Sequence, residues 1–232
     1  MNVQIATAGI FAVAGSTTHV SAQMVATEVR HPFTWDLTVT QSYTGAKIPI
    51  DTYDGPDGEQ LRLIVVDDNL QMFREFALAQ DGGTFRQRFD FPKTALYHVY
   101  AASTPHESGP LVFRFDFIAG NLTTRPVRTL GSASVDGTSV GNGTCAARFS
   151  IPELRHGMTQ TIRVALQNGV TPTRAVLIAA RDLTYAEPAL TPAADGVTIA
   201  IKATAPGDYK LWLEAMDGAG KRCLSPLVLS IR

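Results

Sequence analysis

Five histidines, two cysteines and a run of aspartates are the residues of this 232-residue chain whose types suit chemistry. His19, His31, His98, His106 and His156 are scattered, with no His-x-His or His-x-x-x-His pair to present two imidazoles to one metal ion. Each reads as a surface or half-buried structural residue. His98 falls in the middle of a strand, so Tyr97 and Val99 must face the opposite side. Cys145 and Cys223 are too far apart for a Cys-x-x-Cys redox or zinc motif. Asp51, Asp54 and Asp57, with Gly55 and Gly58, have the texture of a calcium loop. The spacing is wrong for an EF-hand, however, and the twelfth position holds no glutamate, so an acidic turn before Leu61 is the plainer reading. There is no Gly-x-Ser-x-Gly elbow, no Walker-type loop, no dinucleotide fingerprint and no evident nucleophile–base pair. The expectation is a non-enzymatic protein with no catalytic, cofactor-binding or metal-ligating residues.

Aromatic side chains offer a different chemistry, since exposed rings on a β-sheet face stack on sugars. Most of those here suit core packing. Tyr53, Met72, Phe73 and Tyr185 are the candidates for exposed loop-tip contacts with a protein or glycan partner.

The elements that would position these residues are strands. Phe33 to Val39 and Ile162 to Leu166 alternate apolar and polar residues, the period-2 pattern of a half-buried strand. Phe113-Arg114-Phe115-Asp116-Phe117 puts three phenylalanines on one face and two charges on the other. No window carries the 3.6-residue period and caps of a substantial helix; Leu70 to Phe76 has at most one short turn, in a loop between strands.

The order of landmarks repeats. Leu61 to Val66 followed by Asn69-Leu70 answers to Arg174 to Ala179 followed by Asp182-Leu183. The turn signals Asp81-Gly82 and Asp195-Gly196 come next, then Thr84 to Phe89 against Val197 to Ile201. Tyr97 to Tyr100 answers to Tyr209 to Trp212, and Pro110 to Phe113 to Pro226 to Leu229. The chain therefore reads as all-β: two tandem antiparallel immunoglobulin-like β-sandwich modules of roughly 90 to 100 residues each. Module 1 is expected at residues 23–119 and module 2 at 145–232, joined by a Gly/Ser/Thr-rich linker at 120–144.

Composition narrows the partners. Twenty basic against 21 acidic residues give a net charge of -1, without the basic excess that phosphate neutralisation needs, so no nucleic acid is expected. No stretch of about 20 apolar residues offers an integral membrane helix. Residues 1–22 allow two readings. Ile5 to Gly15 has the texture of a signal-peptide apolar region, with Val20-Ser21-Ala22 as a cleavage signal before Gln23; Asn2-Val3-Gln4 lacks the usual basic residue, and a first β-strand is the alternative. The first reading makes the protein periplasmic or secreted, the second leaves it cytoplasmic. An even cysteine count confined to one module suits an oxidising compartment and a Cys145–Cys223 disulfide, with two unrelated buried thiols as the alternative.

With the repeat aligned, the chain resembles a group of bacterial exported tandem β-sandwich proteins, mostly uncharacterised, some linked to heavy-metal-binding or copper-associated domains. The residues that carry the resemblance are Leu63 to Val66, Asn69-Leu70, Phe73, Asp81 to Phe85, Phe91-Pro92-Lys93 and Tyr97, then Pro206 to Leu213 and Ser225 to Leu229. The group looks like it carries a histidine in the first strand of this block and His-x-His-Pro after the following loop. Here those positions hold Arg62, Glu75, Ala77 and Leu78, and in the second copy Ala175, Pro188, Leu190 and Thr191. The expected function is thus an exported binding or scaffold module. The alternatives are a periplasmic heavy-metal (copper) handling protein, which the resemblance implies and the missing histidines weaken, and a carbohydrate-binding module.

Overall fold

The computed structural model describes residues 3–7, 11–12, 19–43, 48–124, 127–141, 145–167 and 169–232. The chain divides into two units, Met1–Val127 and Arg128–Arg232. Both are all-β, with no α-helix among the described residues and four antiparallel sheets consistent with β-sandwich modules.

The first unit contains β1 (Val3–Thr7), β2 (Phe11–Ala12), β3 (His19–Glu28), β4 (Thr34–Tyr43), β5 (Ile48–Pro49), β6 (Leu61–Asp67), β7 (Phe73–Leu78), β8 (Thr84–Asp90), β9 (Ala95–Ser103) and β10 (Leu111–Ala119). One sheet runs β1-β3-β4-β5, with β2 also on β3 and β8 on β4; the other runs β10-β9-β6-β7. Alternation decides which side chains are buried. In β4, Trp35, Leu37 and Val39 are core residues, and in β10 Phe113, Phe115 and Phe117 are, while Arg114 and Asp116 are exposed. Both sheets contribute to this core. Its centre is aromatic: Phe117 meets Trp35 edge-on at 4.7 Å and Phe91 at 4.9 Å, and Phe89 meets Phe91 at 4.6 Å.

The stretch read as either export signal or first strand lies partly outside the described residues. Of what is described, β1 pairs with Gln23 to Thr27 of β3 and β2 with His19 and Val20. The Ala22–Gln23 bond lies inside β3, whose Val20 and Ala22 are buried in the core.

The second unit contains β11 (Ser139–Val140), β12 (Ala147–Ser150), β13 (Thr159–Leu166), β14 (Thr171–Ala179), β15 (Tyr185–Ala186), β16 (Leu190–Ala193), β17 (Gly196–Lys202), β18 (Gly207–Met216) and β19 (Arg222–Ile231). Its sheets run β11-β12-β13-β17-β16 and β15-β14-β18-β19. Here the core is mostly aliphatic, built on Ile162, Val164, Leu177, Ile199, Leu211 and Leu229, with Phe149 and Tyr209 as its aromatic members.

The two units share one strand order. β3-β4-β8 corresponds to β12-β13-β17, and β10-β9-β6-β7 to β19-β18-β14-β15. In the latter pair of sheets a single shift in residue number carries one pairing register onto the other. It sets Arg62 on Arg174, Phe73 on Tyr185, Tyr97 on Tyr209 and Phe117 on Leu229. The expected pairing of Tyr97 with Tyr209 agrees with this register. Two other sequence pairings shift: Leu61 to Val66 moves by one residue, and Leu227 answers to Phe115 rather than Leu111.

Two loop features also repeat. Leu70 and Leu183, paired from the sequence, both adopt left-handed backbone, with φ 54 and 63. Their side chains are buried, which explains why a leucine accepts strain that glycine would relieve. Tyr97 donates from its hydroxyl to the Lys93 carbonyl at 2.9 Å, and Tyr209 to the Ala205 carbonyl at 2.7 Å.

Residues 128–141, within the stretch expected as a linker or long surface loop, belong to the second unit. Leu130 is buried, Ser134 bonds Val228, and β11 pairs with β12. Composition suggested a mobile segment, but backbone pairing to a strand edge orders it.

Candidate functional site

A connected group of polar side chains sits in the first unit, where β6 ends. Asp67 faces inward, and its Oδ1 accepts the backbone N–H groups of Gln71 (2.8 Å) and Met72 (2.9 Å), tying down the turn that holds Leu70. Its Oδ2 accepts from Lys93 Nζ at 3.0 Å, next to the carbonyl that receives the Tyr97 hydroxyl. Burial pushes that phenol up to about 12.

On the other face of β9, His98 is fully buried, not surface or half-buried as its sequence context suggested. Its Nδ1 lies 2.8 Å from Asp116 Oδ1 and its Nε2 3.0 Å from Asp68 Oδ1. Cross-strand pairing explains the first contact, because Asp116 is the β10 partner of His98. Sequence alternation placed the ring on the correct face, but it carried no sign of the two carboxylates. A catalytic histidine keeps one ring nitrogen for the nucleophile. Both nitrogens here face carboxylates, so the group cross-links the β6–β7 turn to β10.

The positions where the resemblance places histidines hold an ion pair instead. Arg62 Nε lies 3.1 Å from Glu75 Oε1 across β6 and β7, and both side chains are buried. The matched pair in the second unit is Arg174 and Glu187, at 4.0 Å and partly exposed. No group of three or more His, Cys, Asp or Glu side chains able to hold a metal occurs among the described residues.

The loop-tip expectation is corrected. Phe73 opens β7 and is only 4% exposed, on the face of that strand that also carries Glu75. Tyr53, Met72 and Tyr185 are half-buried. Tyr53 stacks edge-on against Phe85 at 5.7 Å, Met72 packs on the core, and the Tyr185 hydroxyl donates to Glu187 Oε1.

Cys145 and Cys223 form a disulfide, with Cα atoms 5.5 Å apart and a sequence separation of 78. It joins the approach to β12 in one sheet to the start of β19 at the edge of the other. Two further contacts close the same seam. The Ser134 N–H donates to the Val228 carbonyl, and the Val228 N–H donates to Ser134 Oγ. Farther along, Leu154 bridges Ile231 in parallel, and the Arg232 N–H donates to the Leu154 carbonyl.

Between these contacts lies an open groove of about 450 Å³, lined by Ser134, Asp136, Ile151, Pro152, Ser230 and Arg232 among others. A second lobe of about 350 Å³ shares Asp136, Ile151 and Pro152 and adds Ser150, Thr161 and Arg163. Sequence reading missed this groove, since its lining comes from the supposed linker and from residues distant in sequence. Compared with protein-family models and with curated proteins, the chain matches none.

Proposed function

We propose that this chain is an extracytoplasmic, non-enzymatic binding or scaffold protein built from two immunoglobulin-like sandwich modules. The observation that carries the reading is the repeated framework. The same strand order, left-handed leucine and tyrosine-to-backbone bond recur in both units, so their buried polar groups serve to hold loops and strands. A tyrosine bonded back to the loop before its strand is a recurrent immunoglobulin-fold device, which supports the finer assignment of fold. The disulfide supports a periplasmic or secreted location, because such bonds persist where the environment is oxidising. The exposed groove at the seam of the second module supplies a surface for a partner.

The full chain, immobilised and presented with peptide and glycan arrays, is expected to bind members of one array saturably. Turnover of ester, phosphate or glycoside substrates that disappears in His98→Asn would contradict the reading.

A further inference from the structure

We infer that the outer face of the β11-β12-β13-β17-β16 sheet binds an acidic polysaccharide, whose carboxylate or sulfate groups meet Arg148, Arg163 and Lys202. This rests on the binding-module reading and names the partner class and the surface.

The distribution of charge is the first reason. The first unit holds nine basic against 13 acidic residues and the second eleven against eight, so the net charge of -1 is the sum of -4 and +3. None of the five strands of this sheet contains an aspartate or glutamate. Alternation turns Phe149, Ile162, Val164 and Ile201 into the core and leaves Arg148, Arg163 and Lys202 outward and exposed. No described carboxylate pairs with any of the three. Register sets their backbones on a diagonal across three strands, about 8 Å from Arg148 to Arg163 and about 14 Å from Arg163 to Lys202. Asp136 and Asp195 stand in turns beside the strands, and Asp136 already accepts the Ile151 N–H at 2.8 Å. The matched sheet of the first unit is balanced instead: Arg88 stands opposite Asp36 in register, and Arg86 pairs with Asp81 at 3.0 Å.

What surrounds the cations selects the class of polyanion. Ser150, Arg163, Thr198 and Thr191 form one row across four strands. Ser150 and Thr161 also join Arg163 in lining the smaller lobe of the groove. A guanidinium with neighbouring hydroxyls suits a carboxylate or sulfate on a hydroxyl-rich chain. β12, β13 and β17 each have a strand on both edges, so a peptide finds no backbone to pair with on this face. The outward residues of these strands include no aromatic or large apolar side chain. The face therefore offers no stacking to nucleobases or neutral sugars and nothing to enter a lipid surface.

The test uses the full chain, immobilised and presented in turn with polygalacturonate, dextran sulfate, unsubstituted dextran, a random-sequence DNA duplex, and vesicles of phosphatidylcholine with phosphatidylglycerol. Affinities are measured for the wild type, for the triple reversal Arg148→Glu/Arg163→Glu/Lys202→Glu, and for Arg86→Glu/Arg88→Glu on the matched face of the first unit. The expected result is saturable binding of polygalacturonate or dextran sulfate that weakens with rising salt, with a loss of about tenfold or more in the triple reversal and less than about threefold in the first-unit variant. Unchanged affinity in a triple reversal whose fold is intact by circular dichroism, or an equal loss in the first-unit variant, would overturn the site while leaving the binding-module reading in place. Should the triple reversal misfold, Arg148→Gln, Arg163→Gln and Lys202→Gln replace it singly, and unaltered affinity in all three overturns the site instead. Tighter binding to the duplex or the vesicles, or equal binding to unsubstituted dextran, would overturn the polysaccharide class. Binding only to peptides or neutral glycans of the arrays would overturn this inference alone. Silence on every probe and both arrays would count against the module reading as well.

Discussion

The two units build one framework from different interiors. The first fills the space between its sheets with rings: Trp35, Phe85, Phe89, Phe91, Tyr97 and the three phenylalanines of β10. The second fills it with aliphatic side chains and adds a disulfide and a bonded segment along one seam. Aromatic side chains bury more area per residue, and their edge-to-face contacts add to it. A cross-link acts differently, by restricting the unfolded chain. The same strand order can therefore rest on packing in one copy and on covalent restriction in the other.

Substitution at the centre of the aromatic cluster has the largest expected effect. Phe117→Ala should cost the first unit about 3–5 kcal/mol through lost transfer energy and a cavity beside Trp35 and Phe91. Each unit holds one of the chain's two tryptophans, Trp35 and Trp212, both buried. Urea unfolding followed in single-tryptophan variants therefore reads the units separately, and only the Trp35 transition should move. The matched ion pairs come next. Arg62→Ala removes the buried guanidinium that pairs with both Glu75 and Glu59 and should cost about 3 kcal/mol. Arg174→Ala, at a partly exposed pair, should cost less than about 1 kcal/mol. Equal costs would remove the distinction between the two sites.

Tyr97→Phe and Tyr209→Phe test what the copies share. Each loses one hydroxyl-to-backbone bond and should cost about 1 kcal/mol in its own unit. The smallest effect belongs to the exposed Asp54–His106 pair of the first unit. Their hydrogen bond holds the carboxyl below its ordinary range and raises the imidazole above its own. The His106 contribution is complete below the ordinary histidine value and fades as pH rises through the raised one. The Asp54 contribution is complete above the ordinary carboxylate value and fades as pH falls through the lowered one. His106→Asn should thus lower the Trp35 midpoint slightly near pH 6 and leave it unchanged at pH 9.

Much of the framework was legible because alternation and turn chemistry are local. The Phe-Arg-Phe-Asp-Phe run of β10 placed its rings and charges correctly, and the Asn-Leu and Asp-Leu turns identified the matched leucines. What escaped depends on contacts between distant residues. The burial of His98 between Asp68 and Asp116 depends on strand register, and the place of Phe73 in β7 depends on its pairing with Val66 of β6. The groove escaped for a related reason: a Gly/Ser-rich composition records what a segment can bury, not which strand edge its backbone can bond.

Reduction of the Cys145–Cys223 bond tests the central claim most directly. In the loop-entropy model, opening a cross-link with a sequence separation of 78 should cost roughly 4 kcal/mol. With urea unfolding monitored at Trp35 and Trp212 separately, dithiothreitol should shift the Trp212 transition to lower denaturant and leave the Trp35 transition where it was. Equal movement of both transitions, or of neither, would contradict the account of one framework secured in two different ways.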